Sequence, residues 1–102
     1  MSLFLTVCWV GELSEGQGKT VLVGGKRIAV FRDGGQYVAI EDVCPHQGSS
    51  LAGGIVANGI VTCPLHGWRF RLQDGAWADF PRLKIGSYPV RVEGTEIQVQ
   101  VN

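Results

Sequence analysis

Both histidines of the 102-residue chain, and two of its three cysteines, fall in two short near-copies, "CPHQG" at Cys44–Gly48 and "CPLHG" at Cys63–Gly67. Cys44 pairs with His46 and Cys63 with His66, each cysteine is followed by proline, and a glycine follows each histidine. Thiolate and imidazole are the side chains that zinc, iron and copper take from proteins. A lone cysteine near a histidine is more often a small buried apolar group than a ligand. Two copies that use every histidine in the chain have the spacing of a metal site instead. Four such ligands admit a tetrahedral structural zinc. In the common zinc finger, however, cysteine pairs with cysteine and histidine with histidine, whereas here each loop gives one of each. Mixed loops suit a two-metal site, with both thiolates on one metal and both imidazoles on the other.

Such loops have to be held by something rigid. Fifteen glycines punctuate short runs rich in β-branched and aromatic residues: "LTVCWV", "KTVLV", "RIAVF", "QYVAIEDV", "GIVTC", "WRFRL", "SYPVRVE" and "TEIQVQV". This pattern predicts an all-β sandwich or barrel. Gly24-Gly25, Asp33-Gly34-Gly35, Asn58-Gly59, Asp74-Gly75 and Glu93-Gly94 supply tight-turn chemistry for hairpins. No long stretch has a 3.6-residue apolar period, so little helix is expected. Asp42 to about Ala57 reads as a loop of small residues that begins with the first pair. The second pair, between "GIVT" and "GWRFRL", reads as a hairpin tip, and the two loops are placed to face each other. No repeat, linker or low-complexity tract divides the chain, which reads as one domain over 1–102.

Nine basic and nine acidic residues cancel without a cationic cluster, which argues against nucleic acid and anionic membrane as partners. The apolar opening "MSLFLTVCWV" lacks a basic leader and a cleavage site, and Glu12 interrupts it far short of the ~20 apolar residues of a membrane span. It is expected to be the first strand. The odd cysteine count argues against a disulfide framework and for a reducing, cytoplasmic setting. Cys8 is expected to be buried and inert. Trp68, Phe70, Trp77 and Phe80 are expected to pack, and Arg69 and Arg71 to lie on a solvated strand face. Gly48, Gly53, Gly54 and Gly67 read as backbone-permissive positions.

The two pairs, with "CPLHGWRFRLQDG", "GSSLAGG" and "YPVRVEGTEIQV", resemble the Rieske iron-sulfur family, whose signature is C-x-H followed about fifteen to twenty residues later by C-x-x-H. The resemblance covers essentially the whole chain. It implies an antiparallel β-sandwich with a small cluster-binding subdomain of two loops, here about residues 42–80. It also implies one [2Fe-2S] cluster per chain, with Cys44 and Cys63 on the inner iron and His46 and His66 on the outer. The respiratory branch of the family carries a further cysteine in each loop, joined as a disulfide. Here Gln47-Gly48 and Leu65 stand in those loops. That branch also places Ser and Tyr hydroxyls after the second pair, where this chain has Trp68 and Phe70. Fewer hydrogen bonds to sulfur predict a potential near the lower end of the Rieske range, roughly −150 mV. Pro81 resembles part of a third loop that covers the cluster in this family, and a plain rigid turn would equally call for proline there.

The recognisable chemistry is one cluster. The expected function is therefore that of a one-electron carrier, a component of an oxidoreductase system and not itself an enzyme. As a monomeric ferredoxin it would take electrons from a flavoprotein or similar reductase and pass them to a Rieske oxygenase. The alternative acceptor is a nitrite reductase of which this chain would be the small subunit, and a more remote alternative is a zinc-stabilised binding module.

Overall fold

Val, Ile and Phe at alternate positions, broken by glycine turns, leave the chain little choice but short antiparallel strands. The computed structural model describes residues 3–45, 48–65 and 67–101. The strands form three antiparallel sheets. In the first, β1 (Leu3–Trp9) pairs with β12 (Glu96–Val101), which pairs with β11 (Val90–Glu93). The middle sheet runs β10 (Ser87–Tyr88), β4 (Gln36–Glu41), β3 (Lys26–Asp33), β2 (Gly18–Val23). The third comprises β5 (Ile55–Ala57), β6 (Ile60–Thr62), β7 (Arg69–Arg71), β8 (Ala76–Trp77) and β9 (Phe80–Lys84). Helix is confined, among the described residues, to one 3-10 turn at Val10–Glu12.

The middle sheet is the shared wall. Ile28, Ala29, Val30 and Phe31 of β3 are all fully buried, and successive strand residues point to opposite faces. Ile28 and Val30 enter one core with Cys8, Leu13, Val21, Ile97 and Val99. Ala29 and Phe31 enter the other with Leu51, Val61, Phe70, Leu72, Cys44 and Cys63. Two apolar faces on one strand are what a sandwiched sheet requires, and burying a side chain such as Phe31 or Phe70 stabilises the fold by roughly 1.5–3 kcal/mol. The second core is the floor beneath both cysteine loops.

Three expectations need correction. The run "SYPVRVE" is two strands, because Pro89, which has no N–H to give a ladder, stands where the chain leaves β4 for β12. The predicted loop from Asp42 stops at Gly54, since Ile55–Ala57 pairs with β6 across the Asn58-Gly59 turn, both of whose residues have positive φ. Pro81 lies in neither a loop nor a turn but in the exposed strand β9 at the edge of the third sheet, where a missing N–H is tolerated.

Candidate metal centre

β4 ends at Glu41 and releases the first loop, and β6 and β7 hold the second as a hairpin end. The two loops share one backbone frame. In the first, the Cys44 N–H donates to the Ser49 carbonyl at 2.8 Å and the Gly48 N–H donates back to the Cys44 carbonyl at 2.6 Å. In the second, the Cys63 N–H donates to the Trp68 carbonyl at 2.7 Å and the Gly67 N–H to the Cys63 carbonyl at 3.1 Å. Gly48 and Gly67 both have left-handed φ, 71° and 77°, which closes the tight turn and which other residues rarely adopt. The described ends of the two loops thus repeat the same backbone bonds, with each cysteine at the same place in them.

Cys44 and Cys63 are 2 % and 3 % exposed, in one apolar cluster, and no disulfide involves them. The loops touch: Ser49 Oγ of the first lies 3.2 Å from Cys63 Sγ of the second. His46 and His66, the other half of the expected ligand set, lie outside the described residues, as does Gln47. The part that is described fits an iron-sulfur group. Two buried thiols belong to one apolar cluster, where a thiolate is costly unless a cation shares its charge.

One organising residue escaped the sequence reading. Asp42 is fully buried, and its Oδ1 accepts the Leu51 N–H at 2.7 Å, the Ala52 N–H at 2.9 Å and the Ser50 hydroxyl at 2.8 Å. Its Oδ2 accepts the Thr20 hydroxyl at 2.6 Å, with Arg27 Nη2 at 3.7 Å. The carboxylate therefore fastens the far end of the first loop to β2 and β3. The available signal was an acidic residue at the junction of an apolar strand and a Ser-rich loop, a pattern that ordinary turns share.

The flanking residues mostly follow expectation. Phe70 is fully buried, and Trp68 stacks on Trp77 with ring centroids 3.9 Å apart and planes 8° from parallel. Phe80 departs from it, meeting Trp77 edge-on at 6.5 Å while remaining 51 % exposed. Arg69 and Arg71 lie on the solvated face and pair with Asp79 at 3.2 Å and Asp74 at 2.5 Å. Gly54 is a close-approach position, because a Cβ there would collide with the Thr62 carbonyl and sit 2.8 Å from Val61 Cγ2, whereas Gly53 faces open space. Cys8 is buried as expected; burial foremost, then Glu12, pushes its thiol above the ordinary value, with Lys19 opposing.

Three antiparallel sheets, with two matched cysteine loops on a common apolar floor, make a β-domain suited to carry a metal group. The chain matches the Rieske [2Fe-2S] domain family over residues 4–89 and belongs to it. It is 33 % identical over 98 residues to apoptosis-inducing factor 3 of Mus musculus, covering 95 % of this chain and 16 % of that protein. The chain thus spans only a small part of that relative. A Mycobacterium tuberculosis structure attributed to the small subunit of an NADH-dependent nitrite reductase superposes with TM-score 0.93 and 32 % identity, over 100 % of this chain and 97 % of that one. The ferredoxin of carbazole 1,9a-dioxygenase from Nocardioides aromaticivorans IC177 superposes with TM-score 0.86 and 33 % identity, over 94 % and 95 %. This is a Rieske-fold electron-carrier domain with one [2Fe-2S] cluster per chain, related to the ferredoxin components of oxygenase and nitrite reductase systems. Family membership decides for iron-sulfur over the zinc alternative.

Proposed function

We propose that residues 1–102 act as one monomeric Rieske domain that holds its cluster through Cys44 and Cys63 on one iron and His46 and His66 on the other, with about residues 42–80 as the cluster-binding part. The observation that carries this reading is the common backbone frame of the two loops, which gives both cysteines the same position and the same burial. When bound, the cluster supplies one-electron redox chemistry. The chain's own work is to hold and to shield. Leu51, Val61 and Phe70 keep water from the cysteines, and Leu65, 57 % exposed in the second loop, offers a partner a small apolar contact. An imidazole that holds iron through one ring nitrogen keeps the other for a hydrogen bond or a proton.

The donor in this reading is a flavoprotein or similar reductase, and the acceptor the terminal component of a Rieske oxygenase, as the likeness to the carbazole dioxygenase ferredoxin suggests. The second reading, a nitrite reductase small subunit, is favoured by the near-complete mutual coverage with the Mycobacterium tuberculosis structure. Action in the cytoplasm, away from membrane and nucleic acid, fits the zero net charge. It also fits the finding that, among the described residues, no helix is long and apolar enough to cross a membrane. The test is stopped-flow reoxidation of the reduced protein by a Rieske oxygenase and, separately, by a sirohaem nitrite reductase. Fast saturable oxidation by the oxygenase supports the first reading, oxidation by the nitrite reductase alone supports the second, and oxidation by neither contradicts both.

A further inference from the structure

Trp68 and Phe70 bring no hydroxyl to the cysteines, yet a hydroxyl reaches one of them from the opposite loop. Ser49 Oγ lies 3.2 Å from Cys63 Sγ, within range of a hydrogen bond to sulfur. Where Cys63 is a cluster ligand it is a thiolate without a proton, so the hydroxyl is the donor. We infer that Ser49 raises this cluster's potential from across the loops, by donating its O–H to the Cys63 sulfur. The inference rests on the proposal that Cys63 is a ligand.

The hydroxyl is held in place from both sides. The Ser49 carbonyl accepts the Cys44 N–H at 2.8 Å, which ties it to the first loop's turn. The next three residues, Ser50, Leu51 and Ala52, all donate to the buried Asp42 carboxylate. Ser49 therefore presents its side chain from a frame that buried groups fix. It also makes a cross-loop tie that does not need the disulfide of the respiratory branch.

The sign follows from charge. One electron added to the cluster makes its sulfur ligands more negative, while the serine proton stays on oxygen and no bond to Ser49 breaks. A donor to sulfur strengthens as that charge grows, so it stabilises the reduced form more than the oxidised one and raises the potential. The potential then lies above what the residues after the second pair alone imply.

The test compares the cluster-loaded wild type with Ser49→Ala and Ser49→Thr in redox titrations followed by visible absorption. Ser49→Ala is expected to lower the reduced-to-oxidised ratio about tenfold at the wild-type midpoint, which is about 59 mV for a one-electron couple. Ser49→Thr, which keeps a hydroxyl, is expected to restore the wild-type midpoint. Loss of the cluster in Ser49→Ala with retention and a normal midpoint in Ser49→Thr also supports the hydroxyl's role. An unchanged midpoint in loaded Ser49→Ala, a lowered one that Ser49→Thr leaves low, or loss of the cluster in both variants overturns the inference. Cys63→Ala separates this outcome from failure of the ligand assignment, because only that failure leaves cluster absorption intact without Cys63.

Discussion

Replacing Asp42 by alanine removes the acceptor that orders the first cysteine loop, and the cost can be worked from its partners. The Leu51 N–H, on a residue with no exposure, loses its bond of 2.7 Å. The Ala52 N–H loses its bond of 2.9 Å and keeps only the Ser50 hydroxyl at 3.3 Å. A buried donor left without an acceptor costs about 1–3 kcal/mol. The Thr20 and Ser50 hydroxyls lie near enough to water to turn to it, and Arg27, half exposed at 3.7 Å, contributes little. The sum is about 2–5 kcal/mol, a large share of the roughly 5–15 kcal/mol that holds a small domain together. Asp42→Asn keeps an oxygen for both backbone donors and is expected to lose about 1 kcal/mol, chiefly the charge assistance. Amide hydrogen exchange by mass spectrometry on the cluster-loaded protein reads the effect directly. At about 1.4 kcal/mol per tenfold, peptides covering Leu51 and Ala52 should exchange at least about thirtyfold faster in Asp42→Ala, and much less so in Asp42→Asn. Exchange within about threefold of wild type in Asp42→Ala would refute the account of Asp42 as the loop's fastening.

Two further outcomes follow from the packing. Gly54→Ala should destabilise the protein by about 1–3 kcal/mol, because its Cβ has no room beside the Thr62 carbonyl and Val61. Gly53→Ala, next to it and facing open space, should change thermal loss of the cluster colour hardly at all, so equal midpoints for the two variants would contradict the packing. For Cys8, burial raises the folded-state pKa above the ordinary 9.0, so its contribution to stability is present in full below that range. It is lost as pH climbs, since the unfolded chain gives up the proton first. Stability measured from pH 7 to 10 should therefore fall more steeply in wild type than in Cys8→Ala, and parallel curves would count against a buried neutral thiol.

Much of this molecule can be read from its local chemistry. The hairpins were legible because Asn58-Gly59 and the other glycine turns force positive φ where β-branched runs meet. The paired cysteine loops were legible because identical residues impose identical backbone bonds. What escaped notice depends on contacts between distant residues. Asp42 looks like any turn aspartate until Thr20, Leu51 and Ala52 are folded around it. Ser49 looks like loop filler until Cys63 is brought opposite. Pro89 and Pro81 mislead in the same way, because whether a missing N–H breaks a strand, ends a sheet or rests harmlessly on an edge is decided by the neighbouring strand.

The central claim is the mixed ligand set, and the chain contains only two histidines, His46 and His66. Labelling the protein with 15N-histidine and recording the nitrogen couplings to the reduced cluster by electron-nuclear double resonance tests it most directly. Two labelled imidazole couplings are predicted, with one lost in His66→Ala if any reducible cluster persists. A reduced cluster without histidine couplings, or a protein that carries zinc and gives no paramagnetic signal, would contradict the account.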